Sequence, residues 1–344
     1  MITEKRTRRI FLGQSAQTGM GLLLLHSLPV WAFSGSKHRK AYRERSFYTM
    51  GSVATVCAYG ESTAHIDEAI NKVIVEFGRL DALLSVYNSA SEISRLNSSA
   101  GQGPIRVSQE VCDILELSKG FNVQTSGFFD ITVEPLMKLW GFRGFPRKTY
   151  PSDNEIARML GAVGMHHLSI DSNRQEVILD HRAASVDLGG IAVGFAVDRA
   201  VEILRSAGIE SAFINHAGDA YALGSPDEQD GWTAVVPHPS NPGVIIHKEV
   251  LIDQAISTSA DYERSVTIDG IQYGHVMDVR SGRPVRDVAS LTVLAPSTIE
   301  ADAFSTAAFC SPDMLSNVPE TSHFLMKRAH DSWKVESNSI DRSK

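Results

Sequence analysis

The chain has 344 residues, room for one large domain or two at about 150 residues each, and its 43% hydrophobic and 21% charged residues exclude a disordered or polytopic protein. Its 33 Lys and Arg against 40 Asp and Glu leave a net charge of −7, which argues against nucleic acid as a partner, because phosphate binding needs a basic surface. Three cysteines, Cys57, Cys112 and Cys310, lie far apart with no C-x-x-C, which excludes a disulfide framework, a zinc ribbon and an iron–sulfur run. One disulfide or three buried reduced thiols remain open.

The first residues read as an address. Thr7-Arg8-Arg9-Ile10-Phe11-Leu12, the apolar Met20-Gly21-Leu22-Leu23-Leu24-Leu25 and the small-residue pair of Val30 and Ala32 supply the three regions of a signal peptide. The paired arginines before Ile-Phe-Leu resemble a twin-arginine export signal. Residues 1–32 are therefore expected to be a signal, and the protein periplasmic, with a single membrane anchor as the alternative. Against the anchor, the apolar run falls short of about 20 residues and is broken by His26 and Pro29. Removing the signal takes away Lys5, Arg6, Arg8 and Arg9 against Glu4 alone, so the remainder is more acidic still. Twin-arginine cargo crosses the membrane folded, often with a cofactor, so a cofactor is expected.

Along the remaining chain, Ser36–Ser46 is polar and basic and reads as a flexible lead. Ser52–Tyr59 alternates as a strand. Ile66, Ile70, Val73, Phe77, Leu80 and Leu84 recur at helical spacing within His65–Leu84. Val107–Gln124 is a second helix with Ser108 as its cap, and Pro151-Ser152-Asp153-Asn154-Glu155 opens a third. Short strands follow at His167–Ile170 and Glu176–Leu179, then a helix at Ala192–Ser206 and strands at Ser211–Asn215 and Trp232–Val236. Lys248–Ile268 predicts antiparallel strands and Glu300–Phe309 a last helix. Strands and helices mix without a βαβ rhythm, which predicts an α+β domain.

Four segments could carry chemistry. Glycines at Gly189 and Gly190 precede the Ala192 helix, so backbone N–H groups could meet a phosphate there; a plain strand-to-helix turn is the alternative. Asn215-His216-Ala217-Gly218-Asp219 ends a strand with an amide and small residues, suited to a ligand or to an ordinary turn, with His216 read as a surface or supporting residue. Asp302 and Thr306 stand at i and i+4, placing a carboxylate and a hydroxyl on one helical face, hard-oxygen chemistry suited to Mg²⁺. Asp302 could instead cap its own helix. His275, before an apolar pair and downstream of Ser257-Thr258-Ser259-Ala260-Asp261-Tyr262-Glu263-Arg264, could act as a base or be a structural histidine.

Taken in order, Met50-Gly51-Ser52, Tyr87, Ser91–Asn97, the Thr125–Leu136 run with Gly127-Phe128-Phe129-Asp130, Leu139-Trp140-Gly141-Phe142, Asp187–Asp198, Asn215–Asp219, Ser257-Thr258-Ser259, His275–Asp278 with Ser281-Gly282 and Pro284, and Ala301–Phe309 resemble the FAD:protein FMN transferases of the ApbE family. The resemblance runs from about Tyr48 to Phe309. It implies a single mixed α+β domain of the ApbE (T-fold-like) type over residues 48–335, with helices packed on antiparallel sheets and the ligand in a cleft between two lobes. Residues 33–47 would be a lead and 336–344 a tail. It also implies Mg²⁺-dependent transfer of the FMN part of FAD to a Ser or Thr hydroxyl of an acceptor protein, a membrane-attached respiratory subunit, with release of AMP. By position, the Ala192 carbonyl, Asp302 and Thr306 would hold the metal. Met50, Tyr87, Asp130, Gly189, Gly190, Val193, Asn215 and His275 would contact FAD, with His275 and Asp302 catalytic. The family's usual lysine is Val193 here, which removes a cation from the phosphate site; Arg264 and Arg280 are the candidates to replace it. The alternatives are an FAD pyrophosphatase on the same fold and a non-catalytic FAD carrier. For the address, changing both Arg8 and Arg9 to lysine is expected to leave the precursor in the cytoplasm, read by cell fractionation.

Overall fold

A turn of left-handed backbone starts the main sheet. Met50 and Gly51, at φ +44° and +82°, join β1 (Ala41–Thr49) to β2 (Ser52–Gly60) as a two-residue hairpin that pairs Thr49 with Ser52. The chain continues through α1 (Thr63–Leu84), α2 (Glu92–Ser98), β3 (Ile105–Arg106), α3 (Gln109–Gln124), α4 (Glu134–Leu139) and α5 (Asp153–Leu160). Then come β4 (Leu168–Asp171), β5 (Glu176–Leu179), α6 (Ala192–Ser206), β6 (Ser211–His216), β7 (Asp219–Leu223), β8 (Trp232–His238), β9 (Asn241–Leu251) and β10 (Gln254–Ala260). Last are β11 (Ser265–Ile268), β12 (Ile271–Gly274), β13 (Met277–Asp278), β14 (Arg283–Pro284), β15 (Val288–Ala295), α7 (Thr298–Cys310), β16 (Ser322–Ala329) and β17 (Ser332–Asn338). This computed structural model describes residues 40–338 except 227–228, 240 and 330–331. The signal-peptide segment lies outside the described residues.

Eight strands form one sheet in the order β1-β2-β6-β7-β10-β15-β16-β17, every neighbouring pair antiparallel. One face carries the helices. The α1 stripe of Ile66, Ala69, Ile70, Val73, Phe77, Leu80 and Leu84 is buried there with Ala196, Val197 and Val201 of α6 and Ala303, Ala307 and Phe309 of α7. Each large apolar side chain so buried contributes about 1.5–3 kcal/mol. The hairpin of β8 and β9 covers the other face, where Phe213, Ile256 and Leu294 meet Ala234 and Leu251. A third apolar cluster joins α4 and α5 to β11–β13 through Trp140, Ile156, Tyr273 and Met277. The α+β architecture with helices on antiparallel sheets is therefore the one expected.

Two boundaries differ from the sequence reading. Residues from Ala41 are not a flexible lead: β1 pairs along its whole length with β2, and Phe47 packs edge-on against Phe77 at 5.6 Å. Charges at alternate positions hid the strand, since Arg43 and Arg45 spend their guanidinium groups on Asp67 and Asn71 of α1. Nor does the tail begin at residue 336, because β17 stays paired with β16 as far as Asn338. The three cysteines are free thiols. Among the described residues no helix is long and apolar enough to cross a membrane.

The helices α6 and α7 cross in backbone contact at Gly194. A Cβ there would lie 2.6 Å from the Thr298 carbonyl oxygen and 2.8 Å from the Ile299 Cα. One turn further on, the Asp198 carboxylate accepts the Thr298 and Ile299 N–H groups at 2.8 and 2.9 Å, tying α6 to the first turn of α7. Ser297 and Glu300 complete the cap as a reciprocal box. Gly194→Ala is expected to force these helices apart and cost about 1–3 kcal/mol, measured by urea unfolding.

Candidate active site

The face of α7 that bears Asp302 and Thr306 looks at the start of α6. The Gly194 N–H donates to Asp302 Oδ2 at 3.1 Å, and Thr306 Oγ1 sits 2.8 Å from where a Gly190 Cβ would be. The i, i+4 pair and the glycine turn, 108 residues apart from Gly194 to Asp302, thus meet in the fold. Asp302 does not cap its own helix; Ser297 and Asp198 already do so, which frees its carboxylate for Gly194. Gly190 leaves room for the Thr306 hydroxyl. Gly189 donates its N–H to Asp187 Oδ1 at 3.0 Å. Ala192 is buried at the first position of α6, and Val193 beside it is half-buried.

Carboxylates crowd this end of the sheet. Ser257 donates to Asp219 Oδ1 at 2.6 Å and meets Ser305 Oγ at 3.0 Å, while Ser305 also meets Ser259 and donates to the Asp302 carbonyl. Burial first, then Asp219, pushes Asp302 well above the usual carboxylate range. Burial pushes Asp219 up to about 7, and burial followed by Asp219 pushes Glu263 up to about 8. Glu263 Oε1 is buried with no hydrogen-bond partner. Among the described residues no three His, Cys, Asp or Glu side chains converge as metal ligands. A cation here would therefore draw on Asp302, the Thr306 hydroxyl, main-chain oxygen and substrate. That donor set is all hard oxygen, and a divalent ion would favour the charged form of carboxylates that burial otherwise keeps protonated.

Cations gather around Tyr87 and His275. Tyr87 is 68% exposed, yet the Arg143 guanidinium lies over its ring at 4.8 Å and Arg264 Nη1 donates to its hydroxyl at 3.5 Å. Arg264 also comes within 3.4 Å of a Cβ at Gly51, so the β1–β2 turn borders the same space. His275 donates its main-chain N–H to the Arg264 carbonyl, and its Nδ1 is buried without a partner. Burial, then Arg264 and Arg143, push His275 down to about 4, so its imidazole is neutral at pH 7.

The other expected residues are held by hydrogen bonds within the protein. Met50 occupies the β1–β2 turn and donates its N–H to Asp81. Asn215 braces the Ala217-Gly218 turn through the Gly218 N–H. Asp130 accepts from the Thr132 N–H and hydroxyl, and burial raises its pKa. His216 is not a surface residue: it is buried, stacked on Phe77, and meets the Thr49 carbonyl at 3.0 Å. Arg280 lies over the Phe128 ring and donates to the Ser126 carbonyl, whereas Arg264 borders the site. Sequence reasoning named Glu263 and Asp219 only inside longer motifs, and gave Arg143 no role. No spacing rule could have found Arg143, whose partners Tyr87 and Asp187 are distant in the chain.

The model of the ApbE family matches residues 50–318. The FAD:protein FMN transferase of Escherichia coli (strain K12) is 31% identical over 263 residues, covering 75% of each chain. Among solved structures, the ApbE protein of Thermotoga maritima superposes with a TM-score of 0.79 at 27% identity, over 86% of this chain and 96% of that one. The flavin transferase ApbE from Vibrio cholerae gives 0.78 at 26% identity, over 87% and 98%. The chain belongs to the ApbE family.

The pH dependence of stability tests the buried acids. Folded Glu263 keeps its proton up to about 8, whereas the unfolded chain releases it near 4.5. Its favourable contribution is therefore present at low pH and lost as pH rises across that window. Between about pH 5 and pH 8 the melting point of the wild type is expected to drop ~2–4 °C or more relative to Glu263→Gln, read by thermal unfolding of both.

Proposed function

We propose that this protein is an FAD:protein FMN transferase, cleaving the pyrophosphate of FAD and joining FMN to a Ser or Thr hydroxyl of an acceptor protein, with AMP as the other product. The observation that carries this reading is the meeting of Asp302 and Thr306 with the Gly190–Gly194 turn in a chain of this family. Mg²⁺ would be held by Asp302, Thr306 and the Ala192 carbonyl, and when bound supplies positive charge to the pyrophosphate oxygens. Gly189 and Gly190 let the diphosphate approach the start of α6. Tyr87 offers the open face of its ring for stacking. Neutral His275 takes the proton of the acceptor hydroxyl as its oxygen attacks the FMN phosphorus. The bond to the AMP oxygen breaks, and AMP leaves with that electron pair. Arg143 and Arg264, beside His275, add positive charge where the family's usual lysine has become Val193.

The same reading places the protein in the periplasm, exported by its paired arginines, with a membrane-attached respiratory subunit as acceptor. The decisive experiment incubates the protein with FAD, Mg²⁺ and candidate acceptors and looks for a fluorescent flavin band in a denaturing gel. A band supports transfer. Free FMN and AMP with no acceptor labelled would make the protein a pyrophosphatase, and tight FAD binding without turnover a carrier. Asp302→Ala is expected to lower Mg²⁺-dependent turnover at least ~100-fold at limiting Mg²⁺ with an unchanged circular dichroism spectrum, because hard cations depend on carboxylate charge.

A further inference from the structure

Arg143 has an unusual set of neighbours. Its side chain is only 9% exposed, hydrogen-bonded to buried Asp187 through Nη2 and ion-paired with buried Glu134 at 3.3 Å from Nε, without a hydrogen bond between those two groups. Burial and Asp187 push Glu134 up to about 7, so the guanidinium sits between two acids that would otherwise repel. Its Cζ lies over a different neighbour, the ring of Tyr87, 4.8 Å from the centroid. Asp187 in turn uses Oδ1 for the Gly189 N–H, and its own N–H is fixed on the Ile131 carbonyl. One buried cation therefore touches, directly or through a single carboxylate, both the exposed aromatic platform and the glycine turn.

Resting on the reading of this site as an FAD site, we infer that Arg143 is a positioning residue that locks Tyr87 to the Gly189–Gly190 turn, so that a ring and the pyrophosphate of one FAD molecule are gripped at a fixed separation. A tyrosine this exposed would lose rotamer freedom on stacking with a ligand ring. The anchored guanidinium beneath it removes that freedom beforehand, and a cation under one face leaves the other free for a ligand. Arginine suits the place because one flat guanidinium can hydrogen-bond Asp187, lie beside the charge of Glu134 and cover a ring face at once, which a compact ammonium does less well.

The test is a double-mutant cycle on the full chain, with FAD affinity read by flavin fluorescence titration without acceptor. Arg143→Lys keeps the charge near His275 and loses the fork. It is expected to weaken FAD binding about tenfold when Tyr87 is present and less than about twofold in the Tyr87→Leu background. Equal losses in both backgrounds would make Arg143 a structural residue and overturn the inference, as would no loss in either. Should Arg143→Lys fail to fold, Glu134→Gln releases one side of the guanidinium and must show the same dependence on Tyr87. Wild-type protein that binds no FAD would sink the proposed function and this inference with it, whereas wild-type binding with unaffected variants sinks the inference alone.

Discussion

Two helices pass each other with no side chain between them at Gly194, and the rest of the site depends on that crossing. Because the Thr298 carbonyl fits where a Cβ would stand, α7 starts against α6 and is capped partly by Asp198 of that helix. The next turn of α7 then presents Asp302 to the Gly194 N–H, and the following one brings Thr306 to Gly190. A wider crossing would leave the same residues on the same helical face with nothing opposite them.

Charge is sorted across the end of the sheet. Asp219, Asp302 and Glu263 lie together, all pushed toward the protonated form. Arg264, next in the chain to Glu263, and Arg143 border them with a neutral His275, and the arginines push the histidine the opposite way. Such a polarised space suits a ligand that is itself divided, a cation beside the acids and a phosphate with a ring beside the arginines. The hydroxyls of Ser257, Ser259 and Ser305 link the acidic side into one network without adding charge.

What could be read from the sequence follows from range. The α1 and α6 helices were legible because their apolar stripes are local, and α6 ends at Ala192 and Ser206 as its pattern indicates. The Asp302–Thr306 pair was legible because i, i+4 spacing is set by the helix alone. The strand β1 was not, since its apolar face is one phenylalanine deep and its partner supplies the rest. Also invisible was the Glu134–Arg143–Asp187 group, whose members meet only after α4 has packed into its own small cluster. His216 shows the same limit: its burial depends on the β1–β2 turn and on Phe77, neither of which its neighbours in sequence reveal.

The thiols carry a last consequence. Cys57 and Cys112 are buried in separate apolar surroundings, and burial pushes the Cys310 thiol up to about 12. No cross-link takes part in holding the sheet to its helices, and none of the three sulfurs is poised to react as a thiolate. The fold can therefore be completed in reducing surroundings and kept in oxidising ones, with no isomerase or oxidant to wait for.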